Sequence, residues 1–221
     1  MKELSLLVED VHQNWNPRRF SIVHKPAVVA EISSSDLLQA KEEVLDMPIK
    51  LPTQAFRLPF DNDIKQIVEV CTDFEQGINP QWEQYHCYLT INQGIVRPGA
   101  TQRNPGPHFD GMQGTRYPQK FPVCHQYLVS SALPTTYYVQ PFATLNLDPD
   151  KHNWFKAFEQ QVDPKTKYQP KPFELLLQTA YCVHESTPAS AKTSRTFVRV
   201  EFSLKEFNRI GNSINPLLET G

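Results

Sequence analysis

The sequence predicts a mainly β protein with flanking helices, built as a sandwich or jelly roll rather than a βαβ layout. Three observations carry this. From about residue 84, short runs rich in apolar and aromatic residues alternate with turns, at 85–96, 106–110, 124–130, 136–142, 173–184 and 195–203. Pro is frequent and Gly sparse, 19 against 8, which suits strand ends and fixed loops better than flexible linkers. Helical periodicity is confined to a few segments around those runs.

Taken in order, the chain begins MKELSLLVEDVHQNW, whose acids interrupt the apolar stretch and argue against a secretory signal. Residues 18–32 are rich in β-branched side chains and broken by Pro26, which predicts two short strands. Ser34 or Ser35 caps a helix over 35–47, with Leu37, Leu38, Val44 and Leu45 as its apolar stripe. Residues 54–58 read as another strand. Asp61 or Asn62 caps a second helix with Ile64, Ile67, Val68, Cys71 and Phe74 on one face, and Gly77 stops it. Within the β region a helical insertion near 149–162 has Asp148 as cap and Pro149 at the first helical position. Trp154, Phe155 and Phe158 form its apolar face. The capping box Ser203-Leu204-Lys205-Glu206 predicts a last short helix ending near Gly211. The expected organisation is one domain over 1–221. Strands and bracing helices fill 1–83, the β core 84–203, and a C-terminal helix and tail 204–221.

Composition narrows the class. Hydrophobic residues make up 39% and charged residues 21%, so the chain is neither disordered nor a membrane protein, and no apolar run approaches a membrane span. A net charge of −2 gives no long-range attraction to nucleic acid. The aromatic pairs around Tyr85–Tyr88 and Tyr137–Tyr138 accordingly read as core rather than as base-stacking platforms. Cys71, Cys87, Cys124 and Cys182 form no CxxC pair and sit in apolar surroundings, as buried thiols do. The chain reads as cytoplasmic and reduced.

Chemistry concentrates at His108-Phe109-Asp110, at His184 and at Arg195. With 7 His and 24 acidic residues in the chain, about 0.8 matches to H-x-[DE] arise by chance, so the tripeptide alone decides nothing. Its setting adds weight: Asn104-Pro105-Gly106-Pro107 leads into it and Gly111 follows, as at the end of a short strand. On a strand, residues i and i+2 point to one side, so His108 and Asp110 reach one ion while Phe109 packs the other way. His184 ends the apolar run Leu175–Val183 at the lip of a loop. His86 is its strongest rival; His12, His24, His125 and His152 fit a ligand role less well. The strand 195–203 places Arg195, Phe197, Arg199 and Glu201 on one face and Val198, Val200 and Phe202 on the other. That polar face either meets solvent or lines a polar cavity, where a buried Arg needs an anionic partner such as a carboxylate.

The whole order, H-x-D, then a distal His, then Arg eleven residues later on a terminal strand, resembles the 2-oxoglutarate and Fe(II)-dependent dioxygenase superfamily. The resemblance covers roughly 84–203 and implies a double-stranded β-helix core, a cupin-like jelly roll. By that resemblance His108, Asp110 and His184 are the metal and catalytic residues. Arg195 binds the distal carboxylate of the co-substrate 2-oxoglutarate; Arg199, one pleated repeat along, is the alternative. Tyr88, Thr90 and Tyr138 are candidate hydroxyls for the same carboxylate. The implied chemistry is hydroxylation of a small-molecule or polar substrate by dioxygen at Fe(II). The loops 97–107 and 111–123 are lid candidates, with Arg103, Gln113 and Arg116 as polar contacts. Two other readings compete: a cupin-type metal enzyme that does not use 2-oxoglutarate, which does not require the terminal-strand Arg, and a non-catalytic jelly-roll binding module.

Overall fold

The structure, a computed structural model, describes residues 2–39, 42–60, 63–110, 122–144, 147 and 151–218. Its first half runs α1 (Lys2–Val11), β1 (Ala27–Glu31), α2 (Ser34–Gln39), β2 (Val44–Lys50), α3 (Asp63–Ile78) and β3 (His86–Val96). The second half runs β4 (His125–Ser130), β5 (Thr136–Tyr138), α4 (Trp154–Glu159), β6 (Lys167–Tyr168), β7 (Glu174–Gln178), β8 (His184–Glu185) and β9 (Thr193–Ser203). Six strands form one antiparallel sheet in the order β1-β7-β4-β9-β3-β2, and β6-β5-β8 form a second. The protein is mainly β with flanking helices around a jelly-roll core.

The alternation in TSRTFVRVEFS makes β9 central. It pairs with β3 along its whole length, from Thr193↔Val96 to Ser203↔His86, and with β4 on its other edge. Val198, Val200 and Phe202 join the main apolar cluster with Leu89 and Ile91 of β3 and Tyr127 and Val129 of β4. Helix α3 covers that face because Ile64, Ile67, Val68 and Cys71 recur at helical spacing and are all buried. Helix α1 adds Leu7 and Val11. The opposite face of β9, carrying Arg195, Phe197, Arg199 and Glu201, is also buried and turns inward. A second, aromatic cluster, including Trp15, Phe20, Trp154, Phe158 and Tyr181, backs the smaller sheet.

One polar group is enclosed in the helix-covered layer. Glu75 of α3 is fully buried and accepts from His125 Nδ1 at 2.8 Å, the Tyr127 hydroxyl at 2.7 Å and Asn79 Nδ2 at 2.7 Å. The far nitrogen of His125 reaches the Leu7 carbonyl at 3.2 Å, so α1, α3 and β4 meet at one cluster. Burial raises the Glu75 carboxyl, but the His125 charge and hydrogen bond outweigh it and hold it below its ordinary value. Removing one partner of such a pair leaves a buried charge uncompensated. His125→Ala is therefore expected to lower the unfolding free energy by about 3–5 kcal/mol in denaturant titrations; a loss under about 1 kcal/mol would show that the cluster carries no such weight.

Several elements differ from the sequence expectations. The helix expected over 35–47 ends at Gln39, and Val44 and Leu45 open β2, where Val44 pairs with Ile91. Apolar pairs seven residues apart fit a helix, but sheet pairing claims the second pair. Residues 18–32 hold one strand, β1, because Pro17–Ser21 form a 3-10 turn capped by Asn16 and anchored by the buried Arg19–Asp10 pair. Residues 54–58 are irregular. The run 173–184 breaks at a turn in which Cys182 N bonds to Thr179 O, and this carries His184 into the other sheet. The expected strands 106–110 and 136–142 shrink to a bridge at His108 and to β5. Asn153 caps α4 by accepting from Lys156 N. No helix follows Ser203 among the described residues; its hydroxyl accepts from Lys205 N in a local turn instead. Helix α1 was not expected. The caps Asp61, Asn62 and Asp148, with Pro149, lie outside the described residues.

Candidate metal centre

Backbone pairing, not strand alternation alone, assembles the site. His108 N donates to His184 O at 2.8 Å and His184 N donates to His108 O at 2.9 Å. In such an antiparallel pair both side chains project to one face, and the two ring centroids lie 4.6 Å apart. Phe109 points the other way into the aromatic cluster, stacked on Trp15 at 5.7 Å and edge-on to Phe158. That anchor turns Asp110 back toward the histidines. One ligand atom from each of His108, Asp110 and His184 falls within 4.8 Å of the others, and this is the one such trio among the described residues.

Both imidazoles are oriented by main-chain carbonyls two residues upstream. His108 Nδ1 lies 2.7 Å from Gly106 O, and His184 Nδ1 lies 2.8 Å from Cys182 O. Since a carbonyl only accepts, each Nδ1 carries a proton, and Nε2 is the ring atom left to face the centre, where His184 Nε2 lies 3.6 Å from Asp110 Oδ2. Gly106 has φ +77°, a conformation open to glycine at no steric cost, and this aims its carbonyl. Burial and the neighbouring His184 push the His108 imidazole below its ordinary value, which keeps it neutral and able to ligate. Burial raises the Asp110 carboxyl, but His184 and Arg199 outweigh it and hold it well below the usual carboxylate range.

Arg199 is the electrostatic hub. Its guanidinium reaches Asp110 Oδ2 at 3.1 Å, Asp46 Oδ1 at 2.7 Å and Glu201 Oε2 at 2.8 Å. Asp46 sits in β2 at a register shift with φ +45°, which turns its carboxylate inward, where Thr90 donates to it. Three carboxylates around one cation are an excess of negative charge. Burial and the charge of Asp46 push Glu201 up to about 7 despite Arg199.

Arg195 is equally buried but differently partnered. Its Nε donates to Ala132 O at 2.9 Å and Leu133 O at 3.1 Å, and Nη1 donates to Gln102 Oε1. Among the described residues no carboxylate meets it. Burial and the nearby Arg103 lower it to about 10.

The remaining candidates separate clearly. His86 stacks on Tyr88, His24 pairs with Asp10, His125 lies beneath the large sheet, and His12 and His152 are exposed. Tyr88 accepts from Phe207 N, Thr90 serves Asp46, and Tyr138 packs in the aromatic cluster. Tyr137 lies beside the centre: its ring is 5.6 Å from His184, and its buried hydroxyl has no hydrogen-bond partner among the described residues. Asp46, Gln102 and Tyr137 were not singled out as site residues from the sequence. Gln113 and Arg116 lie outside the described residues. All four cysteines are buried, and none forms a disulfide among the described residues. No described helix is long and apolar enough to cross a membrane.

No family model and no curated protein matches the chain. Among solved structures it is similar in fold to two prolyl hydroxylases and to EvdO2. A Pseudomonas putida prolyl-4-hydroxylase matches at 13% identity over 92% of this chain and 100% of that one, with TM-score 0.45. A viral collagen prolyl hydroxylase from Paramecium Bursaria Chlorella virus-1, in complex with 2OG, matches at 14% identity over 68% and 78%, with TM-score 0.43. EvdO2 from Micromonospora carbonacea var. aurantiaca matches at 11% over 71% and 69%, with TM-score 0.41. These are likenesses of chain path; the chemistry of the centre rests on its own residues.

Proposed function

We propose that the protein is an Fe(II)- and 2-oxoglutarate-dependent oxygenase that hydroxylates a small-molecule or polar substrate. The observation that carries this reading is the His108, Asp110 and His184 trio, with both Nδ1 atoms held by main-chain carbonyls and His184 Nε2 turned to Asp110 at 3.6 Å, beside an inward-facing arginine strand. Two imidazoles and one carboxylate leave part of an ion's coordination sphere open, which suits non-haem Fe(II). The ion, when bound, supplies dioxygen activation coupled to decarboxylation of the 2-oxo acid. The balance is one oxygen atom into succinate and one into the substrate, with carbon dioxide released.

The chain's own residues hold and orient. His108 and His184 would bind the ion through Nε2, and Asp110 through a carboxylate oxygen. The carbonyls of Gly106 and Cys182 fix the two tautomers. Arg199 keeps Asp110 ionised and aimed. Arg195 is the better candidate for the distal carboxylate, because Arg199 is already saturated by three acids while Arg195 has only neutral acceptors. Phe197 and Tyr137 are apolar walls that limit water. Four buried cysteines without a disulfide among the described residues suit a reducing compartment, and a cytoplasmic location is part of this reading.

Arg195→Ala is expected to weaken 2-oxoglutarate binding roughly 10- to 100-fold while sparing the metal, as read by anaerobic calorimetry on metal-loaded protein. If Arg199→Ala produces that selective loss and Arg195→Ala does not, the co-substrate arginine is Arg199. A metal-loaded protein indifferent to 2-oxoglutarate would instead be a cupin-type enzyme of another class.

A further inference from the structure

Arg195 is already covered. Its Nε is spent on the Ala132 and Leu133 carbonyls, and Nη1 donates to the Gln102 amide oxygen. Gln102 Nε2 turns back to the main chain of the same arginine, 3.3 Å from Arg195 O, and lies 3.5 Å from Asn92 O. One side chain thus spans both ends of Arg195. The sheet leaves a seat for it. Gly94 stands opposite Arg195, so both positions face inward, and Gln102 Nε2 lies 3.8 Å from where a Gly94 Cβ would be. A side chain reaching beyond Cβ at that position would compete for the space the amide fills.

The backbone around Gln102 is held on both sides. Gly99 N donates to Ala189 O at 2.8 Å, Ala189 N donates to Ala100 O at 2.9 Å, and Gly106 O receives His108 Nδ1 at 2.7 Å. Withdrawing the amide from Arg195 therefore needs a side-chain rotation, not the opening of the loop. Gln102 is half-buried, so the released amide has a path to solvent.

The chemistry of the side chain decides what it stands for. A glutamine side chain is two methylenes and a planar amide; the distal arm of 2-oxoglutarate is two methylenes and a planar carboxylate. The two have one shape and differ by one charge. A buried guanidinium left without an acceptor is costly, and a neutral amide satisfies it less strongly than an anion does. We propose that Gln102 is a resident placeholder for the distal arm of the co-substrate, displaced from Arg195 when that carboxylate binds. The inference rests on the assignment of Arg195 to 2-oxoglutarate. Its consequence is selectivity. Covering Arg195 lowers the apparent affinity of every ligand that needs it, and only a ligand with a charged arm recovers the loss. Gln102 is thus a specificity-determining residue that favours a dicarboxylate over a 2-oxo acid with a neutral arm.

The test uses the full chain loaded with Zn(II), with 2-oxoglutarate and pyruvate as probes. Pyruvate carries the chelating 2-oxo acid end without the distal arm. By calorimetry, Gln102→Ala should bind 2-oxoglutarate roughly three- to tenfold more tightly than the parent. Gln102→Glu puts an internal carboxylate on Arg195 and should bind 2-oxoglutarate at least roughly tenfold more weakly. Affinities for pyruvate and for Zn(II) should be the same in the parent and both variants. In nitrogen-15 NMR the Gln102 side-chain amide, assigned by its loss in Gln102→Ala, should shift saturably with 2-oxoglutarate and not with pyruvate. The proposal is overturned if Gln102→Ala weakens 2-oxoglutarate binding, since the amide would then assist the co-substrate. An amide signal that stays in place while 2-oxoglutarate saturates the protein overturns it equally. So do unchanged affinities in both Gln102 variants when Arg195→Ala weakens binding. Arg195→Ala without effect on 2-oxoglutarate contradicts the assignment of Arg195 itself, and the placeholder falls with it.

Discussion

His184→Ala and Asp110→Ala will each lower Fe(II) affinity by at least about a hundredfold and abolish metal-dependent turnover. Loss of a group that merely orients a ligand costs 10- to 100-fold, and these residues are proposed as the ligands themselves. The effect should be specific to the metal. His184 contributes its backbone to the pairing with His108 whatever its side chain, so the alanine variant retains both main-chain bonds. Its folded state and circular dichroism should match those of the parent. Asp110→Ala removes one of three acids around Arg199, and Asp46 and Glu201 remain. Metal binding by equilibrium dialysis, with unfolding measured in parallel, checks the pair of expectations. Full metal stoichiometry in both variants would remove the trio from consideration.

Arg199→Met will lower the unfolding free energy by about 3–5 kcal/mol. The change leaves Asp46, Glu201 and Asp110 facing one another without their shared cation. The diagnostic is the combined variant. Adding Asp46→Asn and Glu201→Gln to Arg199→Met removes the uncompensated charge, and most of the stability should return, because a neutral replacement of a whole buried network is often close to neutral in free energy. Metal affinity should not return fully, since Asp110 has lost the group that aims it. Denaturant unfolding of the single and triple variants separates charge from packing. Equal stability loss in both would mean that Arg199 matters by volume alone.

His108 and Asp110 are legible as a pair from local spacing, because strand parity and the Phe109 anchor both act within three residues. The approach of His184 is not local. It depends on a turn at Thr179–Cys182 that moves the distal His from the large sheet to the small one, and no periodicity marks that break. The alternation in β9 announces a polar face, yet the identity of its partners needs the sheet register. Asp46 shows this most sharply: Val44 and Leu45 fit a helical stripe, and only pairing with β3 and a bulge turn the intervening acid toward Arg199. The C-terminal capping box fails for the converse reason. Ile210 and Ile214 are exposed and find no surface to pack on, and a short helix without tertiary contacts is marginal.

The most direct test of the central claim is an anaerobic titration of Fe(II)-loaded protein with 2-oxoglutarate, followed by visible absorption. A 2-oxo acid chelated to Fe(II) at an open coordination face produces a metal-to-ligand charge-transfer band. The account predicts a saturable band that is absent in His108→Ala and requires more 2-oxoglutarate in Arg195→Ala. Stoichiometric Fe(II) binding without any band would contradict it.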